Sequence, residues 1–84
     1  MNYVYIVECN DGTYYTGWTN NLERRVKMHS TGRGAKYTRS RGPVKLVYYE
    51  VFEEKSDALK REYEIKKMTR AKKILLIESM QTNL

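Results

Sequence analysis

A carboxylate stands where the sequence pattern asks for a hydrocarbon. From Asp57 to about Met68 the chain reads as a helix. At about 100° per residue, Ala58, Leu59, Ile65 and Thr69 share one face of it, and Glu62 falls in the middle of that face, one turn after Ala58. A carboxylate turned toward a core costs several kcal/mol unless it is paired or binds a cation. Two readings stand: a structural ion pair with an Arg or Lys, or an active-site carboxylate that holds a metal.

An earlier helical stretch carries a related pattern. Leu22 and Val26 mark its apolar stripe, and Arg25 and His29, four residues apart, lie together on one margin of it. Both should therefore be half-buried neighbours, whereas Arg24 and Lys27 lie away from the stripe as ordinary solvated charges. A lone His beside an apolar stripe can be a satisfied structural residue. An Arg and a His side by side, near a carboxylate, also suit phosphate handling: fixed positive charge for the oxygens and a group that moves a proton.

Tyrosines supply a third element. Tyr3, Tyr5 and Val7 share one face of an extended segment by strict alternation, and Tyr15 and Gly17 share one face of the next. Such pairs serve either packing or proton transfer. Gly17 inside a strand costs stability unless something must come close to the backbone there.

The clearest binding signal is charge. From Arg24 to Tyr49 there is no acidic residue, while Arg24, Arg25, Lys27, Arg33, Lys36, Arg39, Arg41 and Lys45 lie in that stretch. Gly32, Gly34 and Gly42 free the backbone, and Tyr37 can stack on a base. Arg and Lys neutralise phosphates without reading sequence. A second cluster, Lys66, Lys67, Arg70, Lys72 and Lys73, either extends this surface or faces solvent.

The elements that must position these groups follow from the pattern. Tyr3 to Cys9 reads as a strand, Asn10-Asp11-Gly12 as a tight turn, and Thr13 to Thr19 as the returning strand of a hairpin. Asn20 caps a helix from about Asn21 to Ser30, closed by Thr31-Gly32. Residues 32–43, with the only proline, form a loop, and Val44 to Phe52 a third strand. Ser56 caps the helix that carries Glu62, and Thr69 caps another from Arg70 to about Met80, ahead of a frayed tail at 79–84. The order is β-β-α-β-α-α: an α+β fold with a three-stranded antiparallel sheet flanked by three helices, in a single domain spanning 1–84.

Composition narrows the function classes. A net charge of +6 favours a polyanionic partner. One cysteine, Cys9, excludes an internal disulfide, and with a single His it excludes a zinc site of the usual spacing. The longest apolar run, Ile74-Leu75-Leu76-Ile77, is far short of a membrane span, and no secretion signal is visible. A cytoplasmic protein that does not engage a membrane is the expectation. Phosphate-cradling P-loops, dinucleotide fingerprints and nucleophile elbows are absent.

Tyr3-Val4-Tyr5, Tyr15-Thr16-Gly17, Asn20 to Arg25, His29 and Glu62, in this order and spacing, resemble the GIY-YIG nuclease superfamily, in particular its small stand-alone bacterial members and the nuclease domain of flap- and junction-cutting endonucleases. The stretch Gly32 to Arg39 resembles the loop of those groups, and the likeness runs from residue 3 to about 77. The resemblance implies a metal-dependent endonuclease acting on DNA, in preference to RNA, with branched or single-strand-containing DNA as substrate. It implies Tyr5, Tyr15, Arg25, His29 and Glu62 as catalytic residues, Glu62 as the ligand of Mg²⁺ or Mn²⁺, and Gly17 as the point of substrate approach. Arg33, Lys36, Tyr37, Arg39 and Arg41 are then expected to bind substrate. A non-catalytic nucleic-acid-binding module on the same framework is the alternative. Tyr3 replaces the family's glycine, Val4 its isoleucine, and Ile74 or a nearby residue falls where an asparagine is frequent. No specificity domain is expected within these 84 residues, so the expectation is either a separate partner protein or weak cleavage.

Overall fold

The computed structural model describes residues 1–82. Its elements are β1 (Asn2–Glu8), β2 (Tyr14–Thr19), α1 (Leu22–Ser30), β3 (Lys45–Phe52), α2 (Lys55–Lys66) and α3 (Arg70–Thr82), with a short 3-10 turn at Lys36–Thr38. The three strands form one antiparallel sheet in the order β2-β1-β3, the α+β architecture expected.

Central β1 is apolar on both faces, and Val4, Tyr5, Ile6 and Val7 are all buried. Val4 and Ile6 face one way and pack with Tyr48, Ala58, Ile65 and Ile77, which places α2 and α3 on that face. Each such side chain contributes about 1.5–3 kcal/mol on full burial. Tyr3, Tyr5 and Val7 face the other way, beside Thr19, Gly17 and Tyr15 of β2 and Val51, Tyr49 and Leu46 of β3. Helix α1 covers part of this second face. A bulge at Ile6/Val7 shifts the register with β3.

The hairpin turn is closed by Asp11, whose carboxylate accepts from the Thr13 amide at 3.1 Å and the Thr13 hydroxyl at 2.6 Å. Gly12 takes φ 83°, which a side chain would resist. The α1 cap is Asn21, one residue later than expected: its side chain accepts from the Arg24 amide, and Thr19 Oγ1 in turn accepts from the Asn21 amide. Helix α2 starts at Lys55 after an extended Glu54 with no side-chain cap, so Ser56 lies in the first turn. Docking of Ala58 and Ile65 against the sheet, not a hydroxyl, fixes where that helix begins. Thr69 does cap α3, accepting from the Lys72 amide at 3.3 Å. That helix runs to Thr82. Of the tail expected to fray, residues 83–84 lie outside the described part. No helix among the described residues is long and apolar enough to cross a membrane.

Candidate active site

Tyr15, Arg25 and His29 gather around the Tyr5 phenol on the sheet face that carries α1, and Glu62 acts on it from α2, the helix packed on the other face. From the middle of β1, Tyr5 reaches its hydroxyl to within 2.7 Å of His29 Nε2, at the end of α1. Both residues are enclosed, at 1% and 0% exposure. His29 is thus buried more deeply than its helical margin suggested. The reason is the long connection after α1, which folds back over it: Thr38 Oγ1 lies 2.7 Å from His29 Nδ1. The backbone of Gly34 passes so close that an added Cβ would come within 2.1 Å of that nitrogen.

Gly17 is required by the protein's own packing. A Cβ there would land 2.5 Å from the Tyr5 hydroxyl oxygen, so it is the protein's own phenol that crosses the glycine. The Tyr15 ring lies beside it, with its centroid 5.2 Å from His29 and 5.9 Å from Tyr37.

Arg25, one turn before His29, lines a small cleft with Thr19, Asn20, Asn21, Arg24 and Met28. Its Nε is buried without a hydrogen-bond partner. A buried donor in that state costs about 1–3 kcal/mol. Glu62 acts on the same phenol from α2, with a side chain only 18% exposed. It lies beside the stripe made by buried Ala58 and Ile65, whereas Leu59, expected on that face, is exposed. The ion pair of Glu62 is with Lys66 Nζ at 3.3 Å, and that ammonium also lies 6.0 Å from the Tyr15 ring centroid.

A phenol acting as base asks for a lowered pKa, yet Tyr5 is pushed up to about 12. Burial is the main cause; the neighbouring Arg25 pulls the other way, and Tyr15 and Glu62 add to the rise. The His29 imidazole is pushed below its ordinary value, first by burial and then by the charge of Arg25. Near neutral pH the pair is therefore a neutral phenol against a neutral imidazole. That pair can pass a proton but stores no phenolate.

A single carboxylate suits a hard divalent ion of the magnesium type, which keeps most of its waters and takes further oxygens from a substrate phosphate. No group of three His, Cys, Asp or Glu occurs among the described residues, so a closed protein cage is not the design.

The basic connection divides in two. Arg33, Lys36 and Arg39 are exposed, and their side chains make no hydrogen bond or ion pair among the described residues. Arg41 is engaged: it pairs with Asp11 at 3.0 Å, donates to the Tyr37 carbonyl at 2.7 Å and lies 4.1 Å over the Tyr37 ring. Together with the Asn10 amide, which donates to the Arg41 carbonyl at 2.7 Å, it ties the connection to the hairpin turn. Tyr37 is likewise in contact with Tyr15 and Arg41. The largest groove, lined by Tyr3, Leu22, Val26, Leu46 and Tyr49 among others, contains none of the five converging residues.

Thr38, Gly34 and Lys66 are site residues that the sequence reading did not single out as such. Thr38 stands nine residues after His29 in an irregular stretch, so no helical or strand period links them. Gly34 was visible only as one of the glycines that free the loop backbone, and the group it admits was not readable.

Comparisons with known proteins bear on the family and the fold. The GIY-YIG catalytic domain model matches residues 1–74. A UPF0213 protein of Clostridium perfringens is 66% identical over 79 residues, covering 94% of this chain and 85% of its own. A UPF0213 protein of Halobacterium salinarum is 56% identical over 73 residues, covering 87% and 95%. The solution structure of a UPF0213 protein from Bacillus halodurans superposes with a TM-score of 0.61 at 52% identity, covering 93% of this chain and 84% of that one. The solution structure of a protein from E. faecalis gives a TM-score of 0.63 at 40% identity, covering 96% of this chain and 86% of that one. With tyrosines, arginine, histidine and glutamate brought to one place on this sheet, and with these matches along nearly its whole length, the chain belongs to the GIY-YIG catalytic domain family, whose membership implies an endonuclease-type function.

Proposed function

We propose that this chain is a divalent-metal-dependent endonuclease that hydrolyses phosphodiesters in DNA, with branched or single-strand-containing DNA as its substrate. The observation that carries the reading is the buried, unpartnered Nε of Arg25 beside a phenol–imidazole pair. A phosphate oxygen at Arg25 would satisfy the orphan donor and receive fixed positive charge as charge develops.

Glu62 would hold Mg²⁺ or Mn²⁺. When bound, such an ion stabilises negative charge on the phosphate and the leaving oxygen. The chain's own part is proton transfer and placement. Tyr5 takes a proton from the attacking water while passing its phenolic proton to His29 Nε2. The water oxygen bonds to phosphorus as the opposite P–O bond breaks, and the leaving oxygen departs with that electron pair and takes a proton from solvent. A phenol as enclosed as Tyr5 serves a water already seated at the site, not bulk solvent. Tyr15 packs against His29 and limits its movement. Arg33, Lys36 and Arg39 would follow the strand beyond the scissile phosphate, and a separate protein would supply selectivity for a branch.

One observation favours a second reading. The Glu62 carboxylate already has a cation, Lys66. If that pair persists on substrate, the chain is a nucleic-acid-binding module on a nuclease framework. Incubation with flap, fork and junction DNA and Mg²⁺ or Mn²⁺, wild type beside Glu62→Ala, decides between them. Cleavage by wild type alone is the expected result. Binding without cleavage by either protein establishes the second reading.

A further inference from the structure

We infer that Thr38 is a positioning residue of the proton relay, its hydroxyl selecting the His29 tautomer that keeps Nε2 free of a proton and facing Tyr5. The consequence for catalysis rests on the nuclease reading above; the tautomer itself does not.

Donors and acceptors around the imidazole have to match. Three groups each hold one mobile proton: the Tyr5 phenol, the neutral imidazole and the Thr38 hydroxyl. The available contacts are Tyr5 to His29 Nε2 at 2.7 Å, His29 Nδ1 to Thr38 Oγ1 at 2.7 Å, and Thr38 Oγ1 to the Ala35 carbonyl at 3.0 Å. A carbonyl only accepts, so the chain of bonds has a fixed direction at that end. With the Thr38 proton on Ala35, Nδ1–H donates to Thr38 and Nε2 accepts from Tyr5. All three protons are then used.

The other tautomer leaves a proton without a partner. If Thr38 donates to Nδ1, Nε2–H must donate to the Tyr5 oxygen, and the phenolic proton needs another acceptor. Arg25 has no acceptor to offer, and neither the Glu62 carboxylate nor the Tyr15 hydroxyl, which also act on the phenol, is hydrogen-bonded to it. Tyr5 is 1% exposed, so water does not readily substitute. The one contact that favours this tautomer, the Ala35 amide to Nδ1, is 3.4 Å long, beyond the ordinary range and weak beside the two short bonds.

Backbone structure holds Thr38 in place for this role. It closes the 3-10 turn, its amide also donating to the Ala35 carbonyl at 3.1 Å, and it is fully buried. Gly34 lets the turn approach the imidazole. The same short segment therefore orients His29 from behind while Arg33, Lys36 and Arg39 face outward.

The chain has a single histidine, so its ring nitrogens can be read without assignment of others. In uniformly ¹⁵N-labelled protein near pH 7.5, long-range ¹H–¹⁵N correlation should show Nδ1 protonated and Nε2 unprotonated. Thr38→Val should shift the ring toward the Nε2–H form or a mixture, and Thr38→Ser should restore the wild-type pattern. In cleavage assays, Thr38→Val should lower kcat by about 10–100-fold, the range for losing a partner that orients a histidine, with KM little changed and Ser rescuing. A wild-type spectrum showing Nε2–H overturns the inference whether or not the valine variant folds. So does an unchanged tautomer in Thr38→Val. Absence of cleavage by wild type, with the Nδ1–H form present, removes the nuclease reading and leaves the tautomer assignment standing.

Discussion

Two tyrosine networks occupy opposite faces of the sheet, and each holds a phenol at a pKa of about 12. On the α2 face, Tyr48 donates to Glu50, and Arg61 Nε donates to both Glu50 oxygens at 3.1 and 3.0 Å. Arg61 also pairs with Glu64 at 3.7 Å. On the α1 face, Tyr5 meets His29 and Thr38, with Arg25 and Glu62 nearby. The two phenols share burial as the main cause of their shift, and each has neighbours that raise and neighbours that lower it, but the strongest neighbour acts in opposite senses. Glu50 adds to the rise at Tyr48, whereas Arg25 pulls Tyr5 down. In the first network each charge already has its partner, and the cluster ties β3 to α2. In the second, Arg25 keeps an unsatisfied Nε and Glu62 has only a half-exposed lysine. A raised phenol pKa therefore does not distinguish structure from function here. The unfilled donor does.

Removing the arginine from each network should separate them most sharply. Arg25→Ala should cut DNA cleavage by about 10²–10³-fold, equivalent to about 2.7–4 kcal/mol of barrier, with a smaller loss of stability than in the other network, because its Nε gives up no hydrogen bond and only its contact with the Tyr5 phenol is lost. Arg61→Ala should do the reverse. It leaves Glu50 with Tyr48 alone and lowers stability by about 1–3 kcal/mol, while the folded fraction cleaves as before. Equal losses of stability in both variants, measured by thermal and urea unfolding, would erase the contrast.

Gly34→Ala comes next. Its methyl group would collide with His29 Nδ1, and relief requires moving the imidazole or the turn. Overpacking of this kind costs about 1–3 kcal/mol. Here stability and kcat should fall together, since the seat of His29 belongs to both fold and site. Retained activity with a lower melting temperature would show that the imidazole position is not critical.

How much of this was legible in the sequence differs between the networks. Period-2 alternation put Tyr3, Tyr5 and Val7 on one face, and helical spacing put Arg25 beside His29, because both rules act over a few residues. Glu62 announced itself by standing in an apolar stripe, although Leu59 of that stripe turned out exposed. Thr38 stayed hidden, since its partner lies across an irregular turn whose path depends on tertiary packing. So did the raised pKa of Tyr5: burial outweighs the nearby arginine, and burial is a property of the folded whole. The Arg61–Glu50 pair, eleven residues apart on different elements, had no sequence signal either.

The pH response should sharpen the comparison further. Burial and Arg25 depress the His29 pKa in the folded protein, so around and below the unfolded value of about 6.5 the unfolded chain binds more protons. This part of the stability is fully present above that value and declines as pH falls toward the lowered folded pKa. In His29→Gln the decline over that window should flatten, as followed by urea unfolding at several pH values. Tyr48 and Tyr5, near 12, contribute nothing there. Cleavage should lose its acid limb at the same group, because a protonated Nε2 cannot accept from Tyr5. An unchanged stability slope in His29→Gln would mean that the imidazole is as easily charged inside as outside.

The smallest expected effect concerns the basic connection, where the same open-versus-closed contrast recurs among its arginines. Arg33, Lys36 and Arg39 are exposed and unpaired among the described residues, whereas Arg41 is held by Asp11, the Tyr37 carbonyl and the Tyr37 ring. A cation free to release a phosphate counterion contributes to the salt dependence of binding; one already neutralised contributes less. Each phosphate left without its cation should reduce the slope of log K against log salt by about 0.7–0.9. Converting Arg33, Lys36 and Arg39 to Gln together should therefore flatten the slope by about 2–3, measured by fluorescence anisotropy on a fork DNA with Glu62→Ala as background to prevent cleavage. Arg41→Gln should change it by less than the share of a single phosphate. It should instead loosen the packing of Tyr37 on Tyr15, visible as faster proteolysis between residues 32 and 43. A drop of a full unit in slope with Arg41→Gln alone would mean that its bond to Asp11 opens when DNA arrives, and that the closed arm of the connection is closed only in the free protein.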